Sequence, residues 1–165
     1  MNHAHHPHHQ QHAAAARASV QGLNAVALRA TIHCLSGCAV GEILGMVIGT
    51  ALGLSNAATI ALAVTLAFAF GYAFTLFPLV RSGMGLKAAA KVAFAADTAS
   101  IALMEIVDNA LMVAIPGAMD AGLDSLLFWG ALAFALVVAG LAAFPLNRWL
   151  IARGKGHTLA HGGHH

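Results

Sequence analysis

Between Leu28 and Leu146 the chain passes through four apolar runs, at about residues 28–52, 57–80, 92–115 and 125–146, broken only by short polar stretches. Each supplies the ~20 helical residues needed to cross a hydrocarbon layer ~30 Å thick. Charged residues make up 8% of the sequence and hydrophobic residues 59%, whereas a soluble domain carries roughly 25% charged residues. Too little charge is present to build a surface that faces water. The expected fold is therefore all-α, a polytopic membrane protein with a bundle of four transmembrane helices over residues 28–149. It is flanked by histidine-rich tails at 1–27 and 150–165.

The basic residues order these runs. Arg17 and Arg29 precede or open the first, Arg81, Lys87 and Lys91 lie between the second and third, and Arg148, Arg153 and Lys155 follow the fourth. The other two connections contain no Lys or Arg. With four spans, all three basic regions share one side, which the positive-inside rule makes the cytoplasm of a bacterial inner membrane. Both tails then face the cytoplasm. Without aromatic interleaving, these residues read as topology anchors, and no nucleic-acid partner is expected.

The tails carry six histidines at the N-terminus, in "MNHAHHPHHQQH", and four at the C-terminus, in "GHTLAHGGHH". Interruptions by Ala, Pro and Gln set them apart from an affinity tag. Their spacing suits loose capture of several transition metals. The N-terminal tail is expected to be disordered at its start and helical from Ala13.

The first span carries two four-residue repeats. Gly37, Gly41, Gly45, Gly49 and Gly53 form a smooth stripe for close approach of another helix, and such a stripe can serve a second copy of the chain. Cys34, Cys38, Glu42 and Met46 form a second line, with His33 one position before it. Thiol, imidazole, carboxylate and thioether are ligands for copper, zinc or iron. The bland alternative is that buried cysteines are small apolar fillers.

Glu42 weighs against that alternative, because an ionisable group at mid-span costs at least ~2.5 kcal/mol on insertion scales and requires a partner. The third run supplies one. Asp97, Ile101, Met104, Glu105, Asp108 and Met112 share one face, flanked by Thr98 and Asn109. Counted from the inner ends, Asp97 falls at the depth of His33 and Cys34, and Glu42 at that of Glu105. No intramembrane Lys or Arg offsets these four carboxylates. They must be protonated, share protons or hold a cation.

The motifs "HCLSGCAVGEILGMVIG", "DTASIALMEIVDN" and "IPGAM" resemble a family of small bacterial integral membrane proteins catalogued as a domain of unknown function, some members of which carry copper-related labels. The resemblance spans about Arg29 to Trp149. It implies a four-helix membrane domain in which His33, Cys34, Cys38, Glu42, Asp97, Glu105, Asp108 and Asn109 occupy the motif positions.

Three functions follow in order of preference. The first is binding, and transport, of a transition-metal ion (copper, zinc or iron) by His33, Cys34, Cys38, Glu42, Met46, Asp97, Met104, Glu105 and Asp108, in a protein that forms homo-oligomers. The second is a non-enzymatic assembly subunit of a larger membrane complex, its carboxylates protonated and its glycine stripe turned to a partner. The third is a small membrane redox enzyme; with His33 as the one histidine in any span, a bis-histidine haem would need two copies of the chain.

Overall fold

The structure, a computed structural model, describes residues 7–153, with side chains from Ser19 onward. The histidines before Pro7 and those of the C-terminal tail lie outside the described residues. Four helices follow one another: α1 (Pro7–Ala51), α2 (Asn56–Arg81), α3 (Leu86–Ala114) and α4 (Leu126–Ala152).

Local chemistry sets the helix ends. Gly53 (φ 64°) and Gly83 (φ 93°) stop α1 and α2 in the same way. After α1, Gly53 N–H bonds to Thr50 O at 3.1 Å and Leu54 N–H to Gly49 O at 2.9 Å; after α2, Gly83 bonds to Val80 O at 3.0 Å and Met84 to Leu79 O at 3.2 Å. These are Schellman closures, which need a left-handed residue. The oxygen of Ser55 caps α2 by accepting from Ala58 N–H, and that of Ser125 caps α4 by accepting from Leu127 N–H. α3 stops before Pro116, which disfavours helical conformation in the residue ahead of it.

Four boundaries differ from those read in the sequence, one of them the end of α4, which lies at Ala152 rather than Leu146. α1 begins at Pro7 rather than Ala13 and runs unbroken past Leu28, because the alanine-rich stretch before the span is itself a strong helix former. Its packed portion starts ahead of Leu28: Arg148 Nε donates to Asn24 Oδ1 at 2.7 Å, and Ala27 is fully buried. α3 begins at Leu86 instead of Val92, since "LKAAAK" favours helix, so the basic connection shrinks to residues 82–85.

The glycine stripe packs within the chain. A Cβ on Gly37 would lie 2.6 Å from Gly71 Cα, and Cβ atoms on Gly41 and Gly45 would collide with the backbones of Ala67 and Ala63. One on Gly49 would meet the Thr59 side chain at 2.5 Å. The pairs step by four residues in opposite directions, so α1 and α2 are antiparallel and touch backbone to backbone. The stripe is therefore consumed by α2 and is not a surface for a second copy. Gly53 does not belong to it, because a Cβ there would meet nothing within 4 Å and its role is to end the helix.

α4 closes on the other side of α1, and α2 and α4 both contact α3 or α1 without an α2–α4 interface among the described residues. The parallel helices α1 and α3 thus meet across the bundle axis. Among the described residues, three helical segments are long and apolar enough to cross a membrane: Ser19–Ala51, α2 and α4. The third apolar run, in α3, carries more charge, with Lys87, Lys91, Asp97, Glu105 and Asp108 along its 29 residues. Its acids point inward, at 5%, 4% and 1% exposure for Asp97, Glu105 and Asp108, while Phe94, Ile106 and Val113 face outward.

The α1–α2 contact predicts a sharp contrast between two substitutions. Gly41→Ala should lower stability by about 2 kcal/mol, the usual scale of overpacking, since the atoms it meets are backbone. Gly130→Ala, where a Cβ would meet nothing within 4 Å, should be neutral or raise stability by ~0.5–1 kcal/mol. Thermal unfolding in detergent compares them; equal melting temperatures would mean that α1 and α2 do not touch at Gly41.

Candidate functional site

The line of Cys34, Cys38, Glu42 and Met46 is one residue ahead of the glycine stripe, a rotation of about 100° around the helix. With the glycines fixed on α2, that line faces α3. The sequence-derived residues accordingly meet in a file along the bundle axis.

At the end nearer the basic residues, Asn147 Nδ2 donates to Thr31 Oγ1 at 2.9 Å, and Thr31 in turn donates to Ala27 O. His33 is half-buried, its Nε2 lying 3.1 Å from Thr75 Oγ1 of α2. The Cys34 thiol donates to Asp97 Oδ1 at 3.7 Å, a long bond typical of sulfur, while Asp97 Oδ2 is buried without a partner. Ser100, fully buried beside them, also has an unpartnered hydroxyl.

One turn further, Cys38 faces Glu105. Asn109 Nδ2 donates to the Glu105 backbone oxygen at 3.0 Å and reaches its Oε2 at 3.5 Å, leaving Glu105 Oε1 unpartnered. The next turn sets Glu42 against Asp108. The two carboxyl groups lie within hydrogen-bonding reach of each other, no donor from elsewhere partners their four oxygens, and both residues are essentially fully buried. Matching depths in the sequence pairs Glu42 with Glu105; the structure shifts this by about one turn, making Asp108 the first neighbour of Glu42 and assigning Glu105 to Cys38.

The three sulfur groups of mid-bundle, Cys34, Cys38 and Met104, share one cluster with Ala67 of α2 and Ala139 and Ala143 of α4. Both cysteines are free thiols. Met46 instead lies at the far end, packed with Met112. The nine proposed ligands therefore do not converge on a single point but spread from residue 33 to residue 46 of α1, about 20 Å along a helix. Among the described residues, no three His, Cys, Asp or Glu side chains form a group able to hold a metal ion as they stand.

Two contributors escape a reading of apolar runs. Thr75 could have been found, because it continues the four-residue series Thr59, Ala63, Ala67, Gly71 on α2. Asn147 likewise continues the four-residue series Ala131, Ala135, Ala139, Ala143 on α4, but it follows Pro145, where the fourth run looks finished.

The file is rich in acceptors and poor in donors. Seven buried side-chain oxygens from Glu42, Asp97, Glu105, Asp108 and Asn109, together with the Ser100 hydroxyl, have no partner. Each such group ordinarily costs about 1–3 kcal/mol, and such groups are rare enough in native structures to require a reason. The described basic residues, Arg29, Arg81, Lys87, Lys91, Arg148 and Arg153, gather at one end of the bundle, away from Glu42 and Asp108.

Fold and site together define an all-helical bundle compatible with a membrane, apolar outside and acidic and thiol-bearing within. Residues 24–156 match DUF4396, a domain of unknown function, and the chain belongs to that family. No curated protein and no solved structure matches it.

The opposition of Glu42 and Asp108 predicts strong coupling between them. In a cycle of Glu42→Gln, Asp108→Asn and the double variant, the stability changes should fail to add by ~0.5–3 kcal/mol, as for residues in one buried network. Chemical or thermal unfolding in detergent reads this, and strict additivity would separate the two side chains.

Proposed function

We propose that this chain is a four-span helical protein of the bacterial inner membrane, with both termini cytoplasmic, that binds a transition-metal cation in the file between α1 and α3 and passes it along the bundle axis. The observation that carries the reading is the Glu42–Asp108 pair: two buried carboxyl groups face each other with no donor from outside the pair on their four oxygens and, among the described residues, no Lys or Arg beside them. A cation supplies what the site lacks, namely positive charge and a partner for every oxygen. Thiols at Cys34 and Cys38 and the imidazole of His33 favour a transition metal (copper, zinc or iron) over a hard alkali or alkaline-earth ion.

Passage along the axis is supported by the length of the file. From Thr31 to Met46 it covers about 22 Å, most of the ~30 Å hydrocarbon layer. The fourth span, α3, is supported by the partition of its residues, with acids toward the axis and Phe94, Ile106 and Val113 outward. Lipid contact by such a face is favourable, whereas its charges would be costly there.

A second reading, a proton shared between Glu42 and Asp108, is favoured by the same opposition. The assembly-subunit alternative loses one of its two supports, since the glycine stripe is covered by α2.

Thermal unfolding of the full chain with added cuprous, zinc or ferrous ions separates metal from proton. Wild type should rise in melting temperature with one of these ions, in line with the ~2.7 kcal/mol gained at a ligand concentration 100 times its Kd. Glu42→Gln and Asp108→Asn should abolish that rise. Because the histidine tails are common to all three proteins, the difference belongs to the file. Equal rises in wild type and variants would overturn metal binding at this pair.

For topology, single cysteines at Ser82 and Asp120, introduced into a background lacking Cys34 and Cys38, should differ in labelling by an impermeant thiol reagent in intact cells. Asp120 should react and Ser82 should be protected. Equal reactivity would break the four-span arrangement.

A further inference from the structure

Beyond the carboxylate file, at the end of the bundle remote from the basic residues, lies a cavity of about 310 Å³. Its walls come from α1, α2, α4 and the α1–α2 and α3–α4 connections, and include Met46, Thr50, Asn56, Thr59, Met119 and Asp120. Asn56 Nδ2 reaches Asp120 Oδ1 at 3.4 Å on its rim. Met46 is 2% exposed and packs in one cluster with Met112, which is fully buried, and with Met119. Two of the chain's six methionines, Met46 of α1 and Met119 of the α3–α4 connection, thus line the cavity, and a third, Met112 of α3, packs in the same cluster without lining it.

Methionine often serves as an adaptable filler of irregular core space. A filler closes the space around it, whereas Met46 and Met119 border an open cavity large enough for a cation with bound water. We propose that this methionine-lined cavity is a binding site for a thiophilic monovalent cation of the cuprous or silver type. Thioethers are soft, neutral ligands that select such ions and need no deprotonation to bind them. Asp120 adds a single negative charge at the rim, balancing the one positive charge of the ion. Divalent zinc gains little from thioether sulfur and should not compete.

The site would stand whether or not the carboxylate file takes a metal. Met46 nevertheless links the two, because it follows Glu42 by four residues, a rise of about 6 Å. Met46 is then the wall that the cavity shares with the file.

Full-length protein labelled with ¹³C at the methionine methyl groups, titrated with silver ions in detergent, tests this by NMR. The resonances of Met46, Met112 and Met119 should move together on one saturating curve, while Met84, in the α2–α3 connection, stays in place. Zinc should leave all three unmoved. Met119→Leu, which conserves volume, should weaken the response of Met46 and Met112 at least tenfold, and Met84→Leu should not change it. The curve should persist in the Glu42→Gln, Asp108→Asn double variant, which separates this site from the file. Resonances that stay still under silver, that move on unrelated curves, or that lose their response in the double variant would overturn the proposal, as would an unchanged midpoint in Met119→Leu.

Discussion

The backbone contact between α1 and α2 at Gly41 and Ala67 fixes the orientation of everything else in the bundle. Four successive small-residue pairs leave no room for either helix to rotate. The next residue in each turn of α1 is held about 100° away, so Cys34, Cys38, Glu42 and Met46 turn to α3 together. The same register carries His33 to Thr75, one step beyond Gly37 and Gly71. An α1 without its glycines would stand further from α2, and its polar line would lose both its direction and its depth. The glycines are structural residues, but the geometry of the acids depends on them.

The second constraint is the inversion of polarity. Alanine dominates the buried core, at Ala63, Ala67, Ala135, Ala139 and Ala143 among others, while Leu141, Phe77, Ile106 and Leu52 are more than 60% exposed. Small residues inside permit close helix approach, and large apolar residues outside match a lipid solvent. In such a bundle the hydrophobic effect does not drive the helices together, so close packing and the few interior hydrogen bonds must do so. Thr31 with Asn147, Tyr72 with Thr98 and Cys34 with Asp97 each tie a different pair of helices. Against these ties, the unpartnered oxygens all lie along the file, on Asp97, Ser100, Glu105, Asn109, Glu42 and Asp108, and the Glu42–Asp108 pair holds four of them.

Much of this arrangement was legible in the sequence because it is periodic. Apolar runs of membrane length gave the helices, the four-residue glycine repeat gave a close-packing face, and the spacing of Asp97, Glu105 and Asp108 put all three acids on the inward side of α3. Periodicity describes a face without naming what covers it. The glycine stripe could have served another copy, and only the matching series from Thr59 to Gly71 on α2 assigns it within the chain. Depth counting is coarser still, since an uncertainty of one turn at either helix start moves every pairing, and so Glu42 meets Asp108 before Glu105. Asn147 continues the series from Ala131 to Ala143 past the apparent end of its run, and Met119 lies beyond any periodic signal. One follows a proline in a continuing helix, and the other sits in an irregular connection whose path no repeat specifies.

The chemistry of the file changes along its length. On the proposed reading, an ion from the outer side meets thioethers first, then the carboxylates of Glu42 and Asp108, then Glu105 with Cys38, and finally Cys34, Asp97 and His33 toward the basic end. Steps of three to four residues place successive groups about 5–6 Å apart, close enough for one set of ligands to receive an ion as another releases it. Neutral sulfur at the mouth selects by softness without holding charge strongly, and the carboxylates beyond it supply the attraction. Among the described residues no basic side chain lies between these levels; on the same reading a Lys or Arg at mid-depth would satisfy the acids permanently and close the route to any other cation. All the described positive charge lies at one end, which on the same reading anchors the helices and leaves the interior acids for an ion to neutralise.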